Sequence, residues 1–330
     1  MKTDVAVTGV GMVSPIGTGT ETFWRNACEG VSGIGEITRF DTEGFAFTRA
    51  GEVREFELPT TLKHLEVMSD LATTFLLAAV DEAIRDAGLC VPDADSDCTA
   101  VVLGTNFGAS ASAEGLFTNM AGGREEACRA ADFGKYPLQG AADAVALHWG
   151  LSGPRIVLSL SCSSGGAALV RAADLIRLGK ARRAIVGGYD ALSRFAWLGL
   201  GALRTIAKDE IRPFDSTRSG TIFGEGAAVL VLEATELAEG RNREPLAFYA
   251  GGATGNNAYH MTAPAKDGAG SALVMRAALA DAGLTPDTID HFNAHGTGTA
   301  ANDVTESQAF RSVFGERARE IPVTSLKSAV

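Results

Sequence analysis

The same punctuation occurs twice in this chain. Asp86-Ala87-Gly88-Leu89 leads to Pro92-Asp93, and Asp281-Ala282-Gly283-Leu284 leads to Pro286-Asp287. Each passage closes a segment with helical apolar spacing and precedes a strand-like run: helix 65–87 before strand 100–103, and helix 272–282 before strand 289–294. In the first helix Leu76, Val80, Ala83, Ile84 and Ala87 recur at helical spacing. Two copies of helix, glycine stop, proline turn and strand point to an internally duplicated α/β fold. Ala-Gly-Leu helix ends are common, so chance is the competing explanation of the repeat taken alone.

Strand-like and helix-like segments alternate along the rest of the chain, which again reads as α/β. The most polar connector spans 237–244 and sets the expected division. Residues 1–240 form one half, with an excursion of helices and loops over about 105–150, and residues 241–330 form the other. A net charge of −11 argues against nucleic acid or an anionic membrane surface as a partner. No apolar run approaches the roughly 18 residues that cross a bilayer. Met1-Lys2-Thr3 leads directly into a strand-like 4–8, so no signal peptide is expected. Cys28, Cys90, Cys98, Cys128 and Cys162 are scattered without a C-x-x-C pair. Neither a disulfide framework nor a zinc ribbon is expected, and the compartment reads as the reducing cytoplasm.

Cys162 lies in Leu158-Ser159-Leu160-Ser161-Cys162-Ser163-Ser164-Gly165-Gly166, between a strand-like 156–160 and a helix-like 167–178. A cysteine at a helix start sits beside backbone N–H groups without helical partners and at the positive end of the dipole. That setting favours the thiolate nucleophile, and the same N–H groups suit an oxyanion. A buried, inert cysteine between strand and helix is the alternative. Asn293-Ala294-His295-Gly296-Thr297-Gly298-Thr299 closes a later strand with a histidine, two glycines and two hydroxyls. His295 is either structural or, beside a thiolate, an acid, base or oxyanion donor. His291 lies four residues earlier, but no third ligand cluster accompanies it and no metal site is expected. Lys327, in Thr324-Ser325-Leu326-Lys327-Ser328, follows a short strand 321–324, and alone it reads as a solvated lysine. Arg212-Pro213-Phe214-Asp215, with Arg218, reads as an ion-paired loop ahead of Gly224-Glu225-Gly226. Gly9-Val10-Gly11 tempts a dinucleotide assignment, but Ser14 stands where the third glycine belongs, and that reading is rejected.

Together these segments resemble the β-ketoacyl-acyl-carrier-protein synthases of the thiolase superfamily, in the elongating, decarboxylating type. The opening Val5-Ala6-Val7-Thr8-Gly9-Val10-Gly11-Met12-Val13-Ser14-Pro15-Ile16-Gly17, Tyr259-His260-Met261-Thr262-Ala263-Pro264 and Asp303-x-x-Glu306 look like further family motifs, and the likeness covers essentially the whole chain. The resemblance implies a five-layered αβαβα thiolase-like fold of two similar halves. It implies Cys162 as the acyl-accepting nucleophile and His295 as one of two histidines that promote decarboxylation of the malonyl thioester. Lys327 would polarise the histidine site with Glu306 as its charge partner, Asp303 would support the loop, and Thr297 and Thr299 would bind the phosphopantetheine arm. No metal or redox cofactor is implied, since phosphopantetheine arrives on the acyl carrier protein, and a homodimer is expected. Lys63, Arg124, Arg129 and Arg204 are basic candidates for the acidic carrier and read equally as solvated surface charges.

Two departures qualify the resemblance. The family's lysine motif runs on to a Gly-His pair carrying the second catalytic histidine, and this sequence stops at Val330. The second half is therefore expected to be incomplete, to leave an apolar sheet edge uncovered, and to leave the chain's own activity open. In Gly104-Thr105-Asn106-Phe107-Gly108, Phe107 stands in the loop that lines the family's acyl pocket, so a preference for short or unusual acyl groups is expected. The competing class is a non-catalytic partner subunit or an inactive truncated paralogue, and the presence of Cys162 favours the enzyme. A degradative thiolase needs a second cysteine near the C-terminus, and none follows Cys162. Chalcone-synthase-like or initiating relatives pair the histidine with asparagine, which the Lys327 motif does not match.

Overall fold

The computed structural model describes residues 3–128, 130–260 and 263–330. Its main elements are β1 (Val5–Ser14), α1 (Leu71–Asp86), β2 (Thr99–Gly104), α2 (Gln139–His148), β3 (Arg155–Leu158), α3 (Ser164–Arg177), β4 (Arg183–Asp190), β5 (Gly226–Ala234), β6 (Ala247–Tyr249), α4 (Ala269–Ala282), β7 (Phe292–Asn293), α5 (Ala300–Phe314) and β8 (Val323–Thr324). A large mixed sheet runs in the order β1-β5-β4-β2-β3, with β6 also on β1 and the short strand Gly17–Thr18 at its far end. The β4-β2 and β2-β3 pairs are parallel and the others antiparallel.

The period-two pattern of the strands explains the layering. Val101, Leu103, Ile185 and Val229 face α1 and α2, whereas Ala100, Val102, Ala184, Val186 and Leu232 face the Ala168, Ala172, Leu175 and Ile176 side of α3. Every residue of β2 is buried, as a central strand covered on both faces requires. At the lower end of the sheet Arg183 and Glu233 are opposite in register and fully buried. They pair at 3.1 Å, and Arg183 also holds Asp93 at 2.9 Å. Buried charges persist only with such partners.

The expected helix 65–87 divides in two. A 3₁₀ segment, Thr60–Met68, stops before Ser69, and α1 starts afresh because the Asp70 side chain accepts the Thr73 N–H at 2.7 Å. The first strand runs far beyond 4–8 through Gly9 and Gly11. These glycines admit α1 against β1: a Cβ on Gly9 would lie 2.8 Å from Ala87 Cβ, and one on Gly11 2.8 Å from Ala83 N. The excursion holds helices Ser110–Ala121, Ala130–Lys135 and α2.

The repeated passages have the same geometry. Gly88 and Gly283 follow their helices at φ 65° and 66°, each leading through a short 3₁₀ turn toward a strand. The strand expected over 289–294 is confined to Phe292–Asn293, which pairs in parallel with β8. Among the described residues this second sheet holds two strands. Phe292 stacks on Phe310 and Phe314 of α5 with centroids 4.6 and 6.4 Å apart, and Ile321 and Met275 complete that small core. The strand β6, although it follows the polar connector, returns to the first sheet through Val5, Ala6 and Val7. Arg177 of α3 and Asp281 of α4 tie the two halves at 2.8 Å.

Candidate active site

Cys162 lies on a tight turn between the end of β3 and the start of α3. Ser161, immediately before it, has φ 53°, a left-handed conformation that L side chains seldom adopt. Hydroxyls close the turn: Ser163 Oγ donates to Leu160 O at 2.7 Å, and Ser164 Oγ donates to Ser161 O at 2.7 Å while accepting the Leu160 N–H at 2.8 Å. The α3 start reaches the sheet because Gly104 ends β2 without a side chain; a Cβ there would meet the Ser164 carbonyl and lie 2.6 Å from Gly165 N. The thiol is free and exposed, not buried between strand and helix.

The second cluster is built on the loop between β7 and α5. Gly296 and Gly298 take φ 43° and 73°, folding the loop back on itself. Two buried carboxylates from α5 hold it. Glu306 accepts the His295 N–H at 2.7 Å and the Gly296 N–H at 2.9 Å, and Asp303 accepts the Gly298 N–H at 3.1 Å and the Phe214 N–H at 2.7 Å. Asn302 Nδ2 donates to both carboxylates at 3.2 Å. Thr299 caps α5 by accepting the Asn302 N–H at 3.4 Å, and its hydroxyl lies 2.9 Å from that of Thr297. Lys327 stands on a short turn after β8, and Ser325 Oγ donates to Gly296 O at 3.0 Å, joining that turn to the histidine loop. Burial and then the Lys327 charge push the His295 imidazole below its ordinary pKa, against the opposing pull of Glu306 and Asp303. His295 is accordingly neutral at neutral pH.

The N-terminal domain model of the beta-ketoacyl synthases matches residues 2–238, and the C-terminal domain model of the same family matches residues 246–330. The chain belongs to the beta-ketoacyl synthase family. It is 34% identical over 334 residues to the 3-oxoacyl-[acyl-carrier-protein] synthase 2 of Staphylococcus aureus, covering 98% of this chain and 80% of that protein. Among solved structures it is similar to the ishigamide ketosynthase/chain length factor, with a TM-score of 0.92 and 33% identity over 100% of this chain and 81% of the other. A type II PKS ketosynthase, solved with its acyl-carrier protein and bound to the hexaketide, gives 0.90 and 32% over 100% and 82%. The architecture is thus the thiolase-like ketosynthase fold expected from the sequence.

Within this synthase, several sequence expectations are revised. No ion pair joins Glu306 to Lys327 among the described residues; the Glu306 oxygens accept the His295 and Gly296 N–H groups of the loop. The loop 212–218 is not closed by an Arg212–Asp215 pair. Arg212 turns to Asp209 at 2.7 Å, Asp215 accepts from the Thr217 N–H and hydroxyl, and Arg218 reaches the carbonyls of Thr299 and Ala300. His291 lies 3.0 Å from the Thr324 hydroxyl. Phe107 sits half-buried in a loop whose anchor, Asp190, the sequence did not reveal. One Asp190 oxygen accepts from the Thr105 hydroxyl at 2.6 Å and the Phe107 N–H at 2.8 Å. A cavity of about 570 Å³ is lined by Leu160 and by 255–260, including His260, and a second of about 370 Å³ by Phe214, Phe292, Phe310 and Val323; Phe107 lines neither. Lys63, Arg124 and Arg204 are exposed on three separate segments. Arg129, Met261 and Thr262 fall outside the described residues. No hydrogen bond or ion pair among the described residues links Cys162 to the His295 cluster.

Proposed function

We propose that this synthase performs the decarboxylating Claisen condensation of fatty acid or polyketide-type biosynthesis, with Cys162 as the acyl carrier. The observation that carries the reading is the exposed Cys162 thiol at a strand-to-helix turn, in a chain whose other half holds a neutral His295 beside Lys327. In the first step the Cys162 sulfur attacks an acyl thioester on carrier protein. A new C–S bond forms, the old one breaks, and the thiol proton goes to the departing pantetheine sulfur. Malonyl-carrier protein then loses carbon dioxide. Its enolate carbon attacks the Cys162 thioester, forming a C–C bond and expelling the Cys162 thiolate, with a 3-ketoacyl thioester as product. As an uncharged imidazole at neutral pH, His295 can donate a hydrogen bond to the thioester oxygen where the enolate charge develops. Burial and then the Lys327 charge keep that imidazole neutral, and Lys327 adds positive potential at the same place. Glu306 and Asp303 fix the loop, and Thr297 and Thr299 offer hydroxyls to the pantetheine arm. The reaction balances without a redox or metal cofactor.

The carrier-protein partner is supported by the Staphylococcus aureus relative's name and by the solved ketosynthase complex. A homodimer, and a place in the cytoplasm, belong to the same proposal. Supporting the dimer, β3 ends the sheet's strand order and Leu160 beside it is 51% exposed. No helix among the described residues is long and apolar enough to cross a membrane. The similarity to a ketosynthase/chain length factor favours a second reading, in which the partner is a related, non-catalytic subunit. Incubation with acyl-carrier protein followed by mass spectrometry tests the main reading. An acyl adduct on the Cys162 peptide, absent from Cys162→Ala, is expected, and a well-folded protein that takes no adduct would refute it. Light scattering of the protein alone separates dimer from monomer.

A further inference from the structure

We infer that Ser164 is a positioning residue for Cys162: its buried hydroxyl staples the strained turn that presents the thiol. This inference rests on the proposed role of Cys162 and adds a residue to it. Ser164 is the first residue of α3, yet its hydroxyl does not serve the helix that it begins. It points backward, donating to Ser161 O at 2.7 Å and accepting from Leu160 N at 2.8 Å, so one oxygen joins the two residues that lead into the nucleophile. The Ser164 N–H adds a bond to Ser161 O at 3.1 Å. The same hydroxyl lies 3.4 Å from Thr105 O, and Thr105 N in turn donates to Leu158 O at 3.0 Å, which ties the staple to the ends of β2 and β3.

Three physical features make this hydroxyl more than incidental. Ser161 occupies φ 53°, and an L residue stays there only when its surroundings over-determine it. Ser164 is 5% exposed, so water does not replace a missing hydroxyl, and the Leu160 N–H would lose its acceptor. The exposed Ser163 hydroxyl bonds only to Leu160 O, so among the described residues the one side chain that holds Ser161 O is Ser164, reinforcing its own N–H bond there. A turn that relaxes at Ser161 swings Cys162 away from the helix start, where the reactive thiolate is favoured.

The isosteric pair Ser164→Thr and Ser164→Val isolates the hydroxyl, and Ser164→Ala supplies a second hydroxyl-free variant without added bulk. Two rates are read on the full chain: acyl transfer from acyl-carrier protein to Cys162 at saturating carrier, and alkylation of Cys162 by iodoacetamide relative to the exposed Cys90 in the same digest. We expect Val and Ala to lower both by about tenfold, the scale of one net hydrogen bond, with the half-saturating carrier concentration unchanged and Thr close to the wild type. Equal rates in Thr and Val, or a loss in all three variants, overturn the inference. If the wild-type chain accepts no acyl group, the proposed function fails, and the alkylation ratio still decides the role of Ser164.

Discussion

Glu306→Gln tests how the histidine loop is held. The Glu306 carboxylate is 7% exposed and takes N–H groups from His295 at 2.7 Å and Gly296 at 2.9 Å. Hydrogen bonds to a charged group contribute about 1.5–3 kcal/mol each, whereas a neutral one contributes about 1 kcal/mol. Glutamine keeps one carbonyl acceptor and turns an NH₂ donor toward the other backbone N–H. One charge-assisted bond becomes neutral and the other is lost, leaving a buried donor unpaired. The expected destabilisation is about 3 kcal/mol. Urea unfolding at pH 7, followed through Trp24, Trp149 and Trp197, measures it, and hydrogen exchange at the His295 and Gly296 amides localises it. Loss of the carboxylate charge also removes the larger of the two influences that raise the His295 pKa, so that pKa falls further. An unfolding free energy within about 0.5 kcal/mol of the wild type, with both amides equally protected, would refute the reasoning.

Lys327→Met should act in the opposite direction on His295, raising its pKa, as an NMR titration of the imidazole would report. The sign for stability follows from linkage. A depressed folded-state pKa means that the unfolded chain binds more protons, so the His295 contribution weakens stability as pH falls below about 6.5 and is level above it. Lys327→Met reduces that acid-side loss, which urea midpoints at a series of pH values would show. Gly104→Ala forces a methyl group into the backbone at the start of α3 and should cost about 3 kcal/mol, seen in thermal unfolding and in slower acylation of Cys162. Asp190→Asn removes a carboxylate that gathers the Thr105 hydroxyl and the N–H groups of Asn106, Phe107 and Gly108, and should make that loop cleave faster in limited proteolysis. Phe107→Ala should widen acyl acceptance in a competition among acyl-carrier proteins, and an unchanged chain-length profile would count against Phe107 as a limit.

Features that depend on local chain chemistry were legible in the sequence. The duplicated glycine stops, the apolar strand 100–103, and the cysteine between strand and helix all depend on residues close together in the chain. What escaped depends on long-range pairing. Asp190 gathers a loop more than eighty residues away in sequence, and nothing in its own neighbourhood marks it. Glu306 is legible as a site residue, but its hold on the His295 and Gly296 N–H groups is not, because backbone N–H groups are invisible in a sequence. The break before α1 escaped because apolar spacing continues across Ser69 and Asp70, and the Asp70 cap decides the boundary. Gly9 and Gly11 read in the sequence only as an incomplete dinucleotide motif, and their packing use is visible only with α1 against β1.

The placement of β3 has a mechanical consequence. It is a four-residue rail at the sheet margin, and only three residues separate its last member, Leu158, from Cys162. A tether of that length spans at most about 14 Å and has little slack. Whatever zips onto the open margin of β3 therefore grips the handle of the lever whose tip is the thiol. Assembly state and thiol reactivity should then rise and fall together on dilution.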